Sequence, residues 1–461
     1  MSLSAVLDVG GSSVKAAVVE EGRVLGAATV ATRTVRPSAD RAEMVPAEWE
    51  DAAREALSAA VEKAGRPGAD YLGLVVSSLR QGFVLLDGAG EPLGNGVLNS
   101  DGRGAAHLSV LEGRHGLTGH WPAPQLTLPK LLTVREEEPD RWAATSRVLF
   151  LHDWLVHRMT GVAVTEASFA CAGGMADVAA RTWAGDLLEE AGVGTGRLAP
   201  LVEAGVQVGE LGAGWTLPET LPVVSGCGDT QLAALGVGGL GDGVVTVVAG
   251  SSTPVQAATS TPVRDPLGRP WVSTHAARDV WAAEGNAGYP GTFSGWWDAL
   301  APGDDDGPGG VVAVTAAPYW STATWSRRPP ATLVGLRPDT TAGDVRRALR
   351  EAHAYAVRGN VEDLERALDR PASAVVVTGG GAADGALPTL VAEVLGRPVH
   401  VGRSGAAQAG EVLVRRALGA HGHVPGLPAE VLPAGDASLH EERYARWVEV
   451  TAAVRGALGG S

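Results

Sequence analysis

Two glycine-serine turns, a lysine and two aspartates are the residues here whose types and spacing could do chemistry. The first turn lies in Ala5-Val-Leu-Asp-Val-Gly-Gly-Ser-Ser-Val-Lys-Ala-Ala-Val18, the second in Val244-Val-Thr-Val-Val-Ala-Gly-Ser-Ser-Thr-Pro-Val-Gln-Ala-Ala258. Each joins two apolar, β-rich runs through Gly-Ser-Ser. Such a turn leaves backbone N–H groups free to face an anion. One copy alone is as well read as an ordinary tight turn. Two copies, one opening each half of the chain, point to a duplicated fold that holds a polyphosphate. Asp229 lies in Gly226-Cys-Gly-Asp-Thr-Gln231, between the apolar run 221–225 and a small-residue helix at 232–236. A carboxylate there could meet a closely approaching substrate or cap the helix that follows. A third glycine run, Gly379-Gly-Gly-Ala382, joins a strand to a helix, and a helix N-terminus beside a bare backbone turn accommodates a nucleotide.

The elements that must hold these residues follow from periodicity. The first hairpin continues through Glu20-Glu21-Gly22 into a third strand, 23–32. Pro46 opens a helix to residue 64, with Trp49, Ala53, Ala56, Leu57, Ala60 and Val61 on one face. The run 71–77 predicts a buried strand. It leads into Ser77-Ser-Leu-Arg-Gln-Gly82, a strand at 83–86 and a turn at Asp87-Gly88. The stretch 104–214 reads mostly helical, with a helix over 151–159 stopped by Gly161. The chain loosens at Gly238-Gly-Leu-Gly-Asp-Gly243, and the order then repeats. A hairpin, a Trp-rich irregular stretch (271–325), a long helix (342–369) and a strand–helix–strand unit (374–401) follow in turn. The boundary is expected in the glycine-rich segment, giving domains 1–241 and 242–461. Hairpins mixed with crossover helices make an α/β pattern.

Bulk properties narrow the function. At 461 residues the chain is long enough for two or three cores, and 45% apolar content suits a globular protein. A net charge of −15 leaves no electrostatic footprint for nucleic acid and repels an anionic membrane. Two cysteines, Cys171 and Cys227, make no disulfide framework and fit a reducing compartment. Asp8 breaks any signal-peptide core, and no apolar run reaches a membrane span, so a cytoplasmic protein is expected.

Four segments, Asp8-Val-Gly-Gly-Ser-Ser-Val-Lys15, Gly226-Cys-Gly-Asp-Thr-Gln231, Gly250-Ser-Ser252 and Gly379-Gly-Gly-Ala382, agree in order and spacing with one family. The chain resembles the FGGY carbohydrate kinases over nearly its whole length. The resemblance implies two ribonuclease-H-like domains, of the actin and Hsp70 kind, with an interdomain cleft. It also implies ATP-dependent phosphorylation of a hydroxyl on a small sugar, ketose or polyol, with Mg²⁺ as cofactor; dimers are common among such kinases. Ser77-Ser-Leu-Arg-Gln-Gly82 and Gly-Asp-Thr-Gln231 look closer to the autoinducer-2 kinase branch. So do His152-Asp-Trp-Leu155 and the stretch Tyr319–Pro330. The alternatives are thus a dihydroxypentanedione kinase or, in another class, a non-catalytic sugar or nucleotide sensor on the same fold.

By that resemblance, Asp229 is the general base and Asp8 helps to hold the metal. Gly10, Gly11, Ser12, Ser13, Lys15, Gly250, Ser251 and Ser252 cradle phosphates. Gly379, Gly380, Gly381 and Ala382 receive adenosine. Arg80, Gln81, Asn99, Asp101 and Asp229 meet the acceptor. Two segments depart from the family: Asn99-Ser-Asp-Gly-Arg103 lacks the usual aromatic, and Ser404 replaces an acid in Ser404-Gly-Ala-Ala-Gln-Ala-Gly410. Six of the 13 tryptophans fall in 271–325 and are best read as packing an irregular cap, with Trp296 and Trp297 the exceptions that could face substrate. Cys227 is expected to be a small buried residue. His107, His115, His120, His152 and His157 show no metal-ligand spacing, and Asp304-Asp-Asp306 reads as an exposed loop tip.

Overall fold

The computed structural model describes residues 2–66, 70–303, 310–315, 331–383, 385–403, 405–420 and 425–458. Tyr319–Pro330, Asp304-Asp-Asp306 and Ser404 lie outside the described residues. The chain forms two units. One comprises Met1–Gly236, Val272–Trp281 and Ser404–Pro425; the other comprises Val237–Trp271, Ala282–Arg403 and Gly426–Ser461.

The sheet of the first unit runs Gln207–Glu210, Pro222–Gly228, Tyr71–Ser78, Leu3–Val9, Ser13–Glu20, Arg23–Ala31. The three N-terminal strands are an antiparallel meander, and Tyr71–Ser78 and Pro222–Gly228 add in parallel. Leu3–Val9 is apolar at nearly every position because helices cover both its faces. In the second unit the strands run Trp281–Asn286, Pro254–Thr259, Val244–Val248, Ala374–Thr378, Val399–Val401, with Val431–Leu432 at the edge. Counted in chain order, the main strands of both units stand third-second-first-fourth-fifth. That shared order is the duplicated ribonuclease-H-like fold.

Helix Pro46–Ala64 shows how sequence sets each element. Pro46 sits in its first turn, where the missing N–H costs nothing, and Gly65 ends it at φ +62°. Trp49, Ala52, Ala53, Ala56, Leu57 and Ala60 are buried on strands Ser13–Glu20 and Arg23–Ala31. Gly26 permits that contact, since a Cβ there would lie 2.3 Å from the Ala60 carbonyl oxygen.

Two expectations are corrected and a third, the mostly helical stretch, is refined. The chain does not part at a single cut between 241 and 242. Helix Ala406–Ala417 packs on Leu3–Val9, Tyr71–Ser78 and Asp229–Gly236, so the segment 404–425 completes the first unit. Gly410 makes this possible: a Cβ there would lie 2.6 Å from both Val6 methyl carbons. Up to residue 300 the Trp-rich stretch is regular, with strands Trp271–Thr274 and Trp281–Asn286 and helix Pro290–Leu300. Its strands are too short to show a period, so pairing rather than local pattern forms them. The stretch 104–214 interleaves helices with the short strands Arg147–Phe150, Thr165–Glu166, Ala176–Asp177, Thr182–Trp183, Leu201–Val202 and Gln207–Glu210. Among the described residues, no helix is long and apolar enough to cross a membrane.

Gly410→Val should push helix Ala406–Ala417 off the strands below it. Overpacking of this kind costs about 1–3 kcal/mol, read as a lower denaturant midpoint. An unchanged midpoint would show that the helix is not tightly seated.

Candidate functional site

Three strands of the first unit end side by side, and the candidate residues stand at those ends. The register sets Asp8 beside Ser77 and Gly228 beside Ser78, with Lys15 opposite Asp8 on the returning hairpin strand. Asp229 follows at once as the first residue of helix Asp229–Gly236, where the helix dipole favours a negative charge. Its Oδ1 accepts from the Thr230 N–H at 2.8 Å and the Thr230 hydroxyl at 3.3 Å. No described residue donates to Oδ2. Asp229 and Asp8 are both half-buried, and Lys15 is exposed.

Glycines and hydroxyls shape the turn that presents Asp229. The pairing of Pro222–Gly228 with Tyr71–Ser78 shifts register between Ser225 and Gly228, which re-aims the strand end. A Cβ at Gly226 would lie 1.9 Å from the Val76 carbonyl oxygen, so only glycine fits. A Cβ at Gly228 would lie 2.6 Å from Gln231 Oε1 and 2.8 Å from Arg80 Cδ, so its absence lets those side chains converge. Ser77 Oγ donates to the Cys227 carbonyl at 2.6 Å, and the Gly228 N–H donates to Ser168 Oγ at 3.2 Å. Glu166 Oε2 in turn accepts from the Ser168 N–H at 3.0 Å and from its hydroxyl. Burial pushes the Glu166 carboxyl up to about 8, so it carries a proton at neutral pH.

Asp8 is the electrostatic centre of this edge. Burial and the charge of Asp229 raise its carboxyl to about 7, against the opposing pull of Lys15. Its Oδ1 is buried with no hydrogen-bond partner. A buried carboxylate oxygen left unpaired beside a second carboxylate is a place short of positive charge, which a divalent cation fits. Among the described residues, no group of three or more His, Cys, Asp or Glu could hold a metal. Mg²⁺ does not need one, since it is commonly held by one or two carboxylates with water and substrate phosphates completing its shell.

The first hairpin turn is closed by a bond from the Gly10 N–H to the Ser13 carbonyl at 2.9 Å. Gly11 and Ser12 are exposed at its tip. A Cβ on Gly11 would lie 4.0 Å from Asn99 Oδ1, so Asn99 reaches this turn. Arg80 Nη2 lies 3.5 Å from Thr230 Oγ1, which brings Arg80 to the same edge as Asp229. Gln81 adopts φ +71°, an unusual conformation for a residue with a side chain. Asp101 is a correction: it is fully buried and spent within the protein. Its oxygens accept from Arg103 Nε at 2.8 Å, Arg103 Nη2 at 2.9 Å and the Ala42 N–H at 2.7 Å. It shapes the loop that carries Asn99.

In the second unit, Gly250, Ser251, Gly380 and Gly381 line a pocket of about 390 Å³. Its floor is backbone. The Gly381 N–H donates to the Ala249 carbonyl at 2.9 Å, and Gly379 stands at φ +94°, where a Cβ would lie 2.4 Å from that same oxygen. The Ser252 carbonyl accepts from the Gly250 N–H at 3.0 Å and closes the second turn. Ala382 departs from expectation, being packed in the apolar core of this unit. Helix Pro290–Leu300 supplies a wall through Gly291, Ser294, Gly295 and Asp298. Their spacing of three, four and seven was a visible signal that the tryptophans obscured. His353 closes the pocket near Thr253, whose hydroxyl lies 2.8 Å from its Nε2. Burial pushes this histidine down to about 4, so it is neutral.

The remaining candidates have structural uses. Cys171 and Cys227 are buried free thiols, with Cys171 pushed up to about 11 and Cys227 raised, both chiefly by burial. His152 Nδ1 pairs with Asp153 at 2.9 Å, His115 stacks on Trp121, and His107 pairs with Glu136 at 3.0 Å. Trp297 Nε1 donates to the Ala342 carbonyl at 3.1 Å, whereas Trp296 is 57% exposed.

Glu166 yields a test. Its proton affinity is higher folded than unfolded, so it favours the folded state below about pH 4.5. It withdraws that support as pH rises toward 8, by at most about 1.4 kcal/mol per unit. Glu166→Gln, a neutral isostere, should therefore gain stability relative to the parent across that window. A pH-independent difference in urea midpoints would show that Glu166 is ionised in the folded protein.

Residues 3–236 match the N-terminal domain, and residues 245–413 the C-terminal domain, of the FGGY family of carbohydrate kinases. The chain is 29% identical to a xylulose kinase of Streptomyces coelicolor over 420 residues, covering 86% of this chain and 83% of that one. It is 25% identical to an autoinducer-2 kinase of Yersinia enterocolitica over 383 residues, 75% and 72% of the two chains. The match to the xylulose kinase of Escherichia coli, 32% over 241 residues, spans about half of each chain (50% and 49%). The crystal structure of xylulose kinase from Rhodospirillum rubrum superposes with a TM-score of 0.81 at 25% identity, over 99% of both chains. With the strand order, the glycine turns and Asp229 in place, the chain belongs to the FGGY family of carbohydrate kinases.

Proposed function

We propose that the protein transfers a phosphoryl group from ATP to a hydroxyl of a small sugar, ketose or polyol, with Asp229 as general base. The observation that carries this reading is the pair of half-buried carboxylates at the ends of the two strands that flank Tyr71–Ser78. Asp8 has an unpartnered buried oxygen, and Asp229 has an oxygen that no described residue occupies. Phosphoryl transfer asks for little covalent work from protein side chains. It needs held phosphates, offset charge and a proton acceptor.

The chain's residues divide those tasks. Asp229 Oδ2 takes the proton of the attacking hydroxyl, a contribution of roughly 10²–10⁴-fold. Its other oxygen stays tied to Thr230, which keeps the carboxylate from rotating away. Asp8 is the residue that would hold Mg²⁺, which offsets phosphate charge when bound. Lys15 and the turn Gly10, Gly11, Ser12 and Ser13, with Gly11 and Ser12 exposed at its tip, orient phosphate oxygens. Gly250, Ser251, Ser252 and Gly379–Gly381 receive the nucleotide. Arg80, Gln81 and Asn99 supply donors and acceptors to the acceptor's hydroxyls. A five-carbon ketose is the first substrate to test, since the relatives include xylulose kinases. A second reading, a dihydroxypentanedione kinase, is favoured by Leu79-Arg-Gln-Gly82 and by the autoinducer-2 kinase relative.

Asp229→Asn should abolish acceptor-dependent ADP release, with kcat down at least about 100-fold, while ATP binding measured by calorimetry stays near that of the parent. Full turnover by this variant would remove Asp229 as base. An ADP-release screen over pentuloses, hexuloses, tetritols, glycerol and dihydroxypentanedione separates the substrate readings. No stimulation by any of them would overturn the kinase assignment in favour of a sensor.

A further inference from the structure

The two segments that present the acceptor residues are tied together by one buried amine. Lys130 lies on helix Thr127–Glu137 and is fully buried. Its Nζ donates to the Gln81 carbonyl at 2.8 Å and to the Leu98 carbonyl at 2.9 Å. Gln81 belongs to the turn carrying Arg80, and Leu98 immediately precedes Asn99. One turn of helix earlier, the Thr127 hydroxyl also donates to the Gln81 carbonyl, at 3.1 Å.

Gln81 needs such a hold. A residue with a side chain at φ +71° is strained and keeps that shape only where its surroundings impose it. Two donors converging on its carbonyl do so. A lysine is an expensive residue to bury when a methionine would fill the space. Burial pulls this amine down to about 7. The tie survives in either charge state, because a neutral amine still carries two N–H donors for two carbonyls.

We propose that Lys130 is a positioning residue for the phosphoryl acceptor. It locks the 79–82 turn to the 97–101 segment, so that Arg80, Gln81 and Asn99 meet the sugar as one preorganised surface. This rests on the assignment of those three residues to the acceptor.

Lys130→Met keeps length and removes both donors. Acceptor kcat/KM should fall on the order of 10–100-fold, mainly through KM, with KM for ATP and acceptor-independent ADP release unchanged. Hydrogen exchange should quicken in 79–83 and 97–101 together, whereas Thr127→Val should quicken 79–83 alone. A folded Lys130→Met with parental acceptor KM overturns the proposal, as does faster exchange in only one segment. If the parent accepts no sugar, the functional reading falls and exchange alone decides the tie: retained protection in both segments refutes it. If Lys130→Met fails to fold, Thr127→Val decides, and unchanged exchange at 79–83 counts against the proposal.

Discussion

The approach of the Gly226 backbone to that of Val76 is the constraint on which the site depends. It lets strand Pro222–Gly228 lie against Tyr71–Ser78 without a side chain between them and sets the shifted register at its end. Asp229 leaves the sheet at that point, beside the ends of the strands bearing Asp8 and Ser77. A bulkier residue at 226 would move the turn, and Asp229 would lose its place relative to Asp8. Geometry of this kind matters more than any single bond, because misplacing a reacting group by an ångström can cost on the order of 100-fold in rate.

Around that contact the protein assigns its buried polar groups different electrical states. Glu166 is buried with only the Ser168 hydroxyl and N–H for company, so it holds its proton and serves as a neutral anchor. Asp101 is also buried but sits in the grip of Arg103, whose guanidinium donates to both of its carboxyl oxygens. Asp8 lies between these cases, with burial and a neighbouring carboxylate against one exposed lysine. Three acids thus become an anchor, a loop brace and a candidate cation seat. The environment of each sets its role.

Much of this was legible in the chain. Asp8, Lys15 and Asp229 stand in short motifs whose spacing is tied to one strand end or one turn, so local pattern finds them. Helix Pro46–Ala64 was equally plain, because its proline, its glycine cap and its apolar face are all local signals. Lys130 was not. It sits in an unremarkable helix, and only packing shows that its amine bridges carbonyls 49 and 32 residues away. Helix Pro290–Leu300 was hidden for a different reason: its tryptophans suggested an irregular cap, while its glycines and Ser294 made the pocket wall.

The sequence alone determined the family and the duplicated α/β plan, and it singled out Asp229 and the two glycine-serine turns as the residues proposed for the base and the phosphates. Those depend on residue types at short, repeated spacings. Tertiary structure decided which polar residues are free to act. Asp101 and Asn99 stand two positions apart in one segment, yet the first is buried in an ion pair and the second reaches the first glycine-serine turn. It also decided that helix Ala406–Ala417, late in the chain, completes the first unit through Gly410. The physical reason is common to both: burial and hydrogen-bond partners come from residues distant in sequence, and no local pattern encodes them.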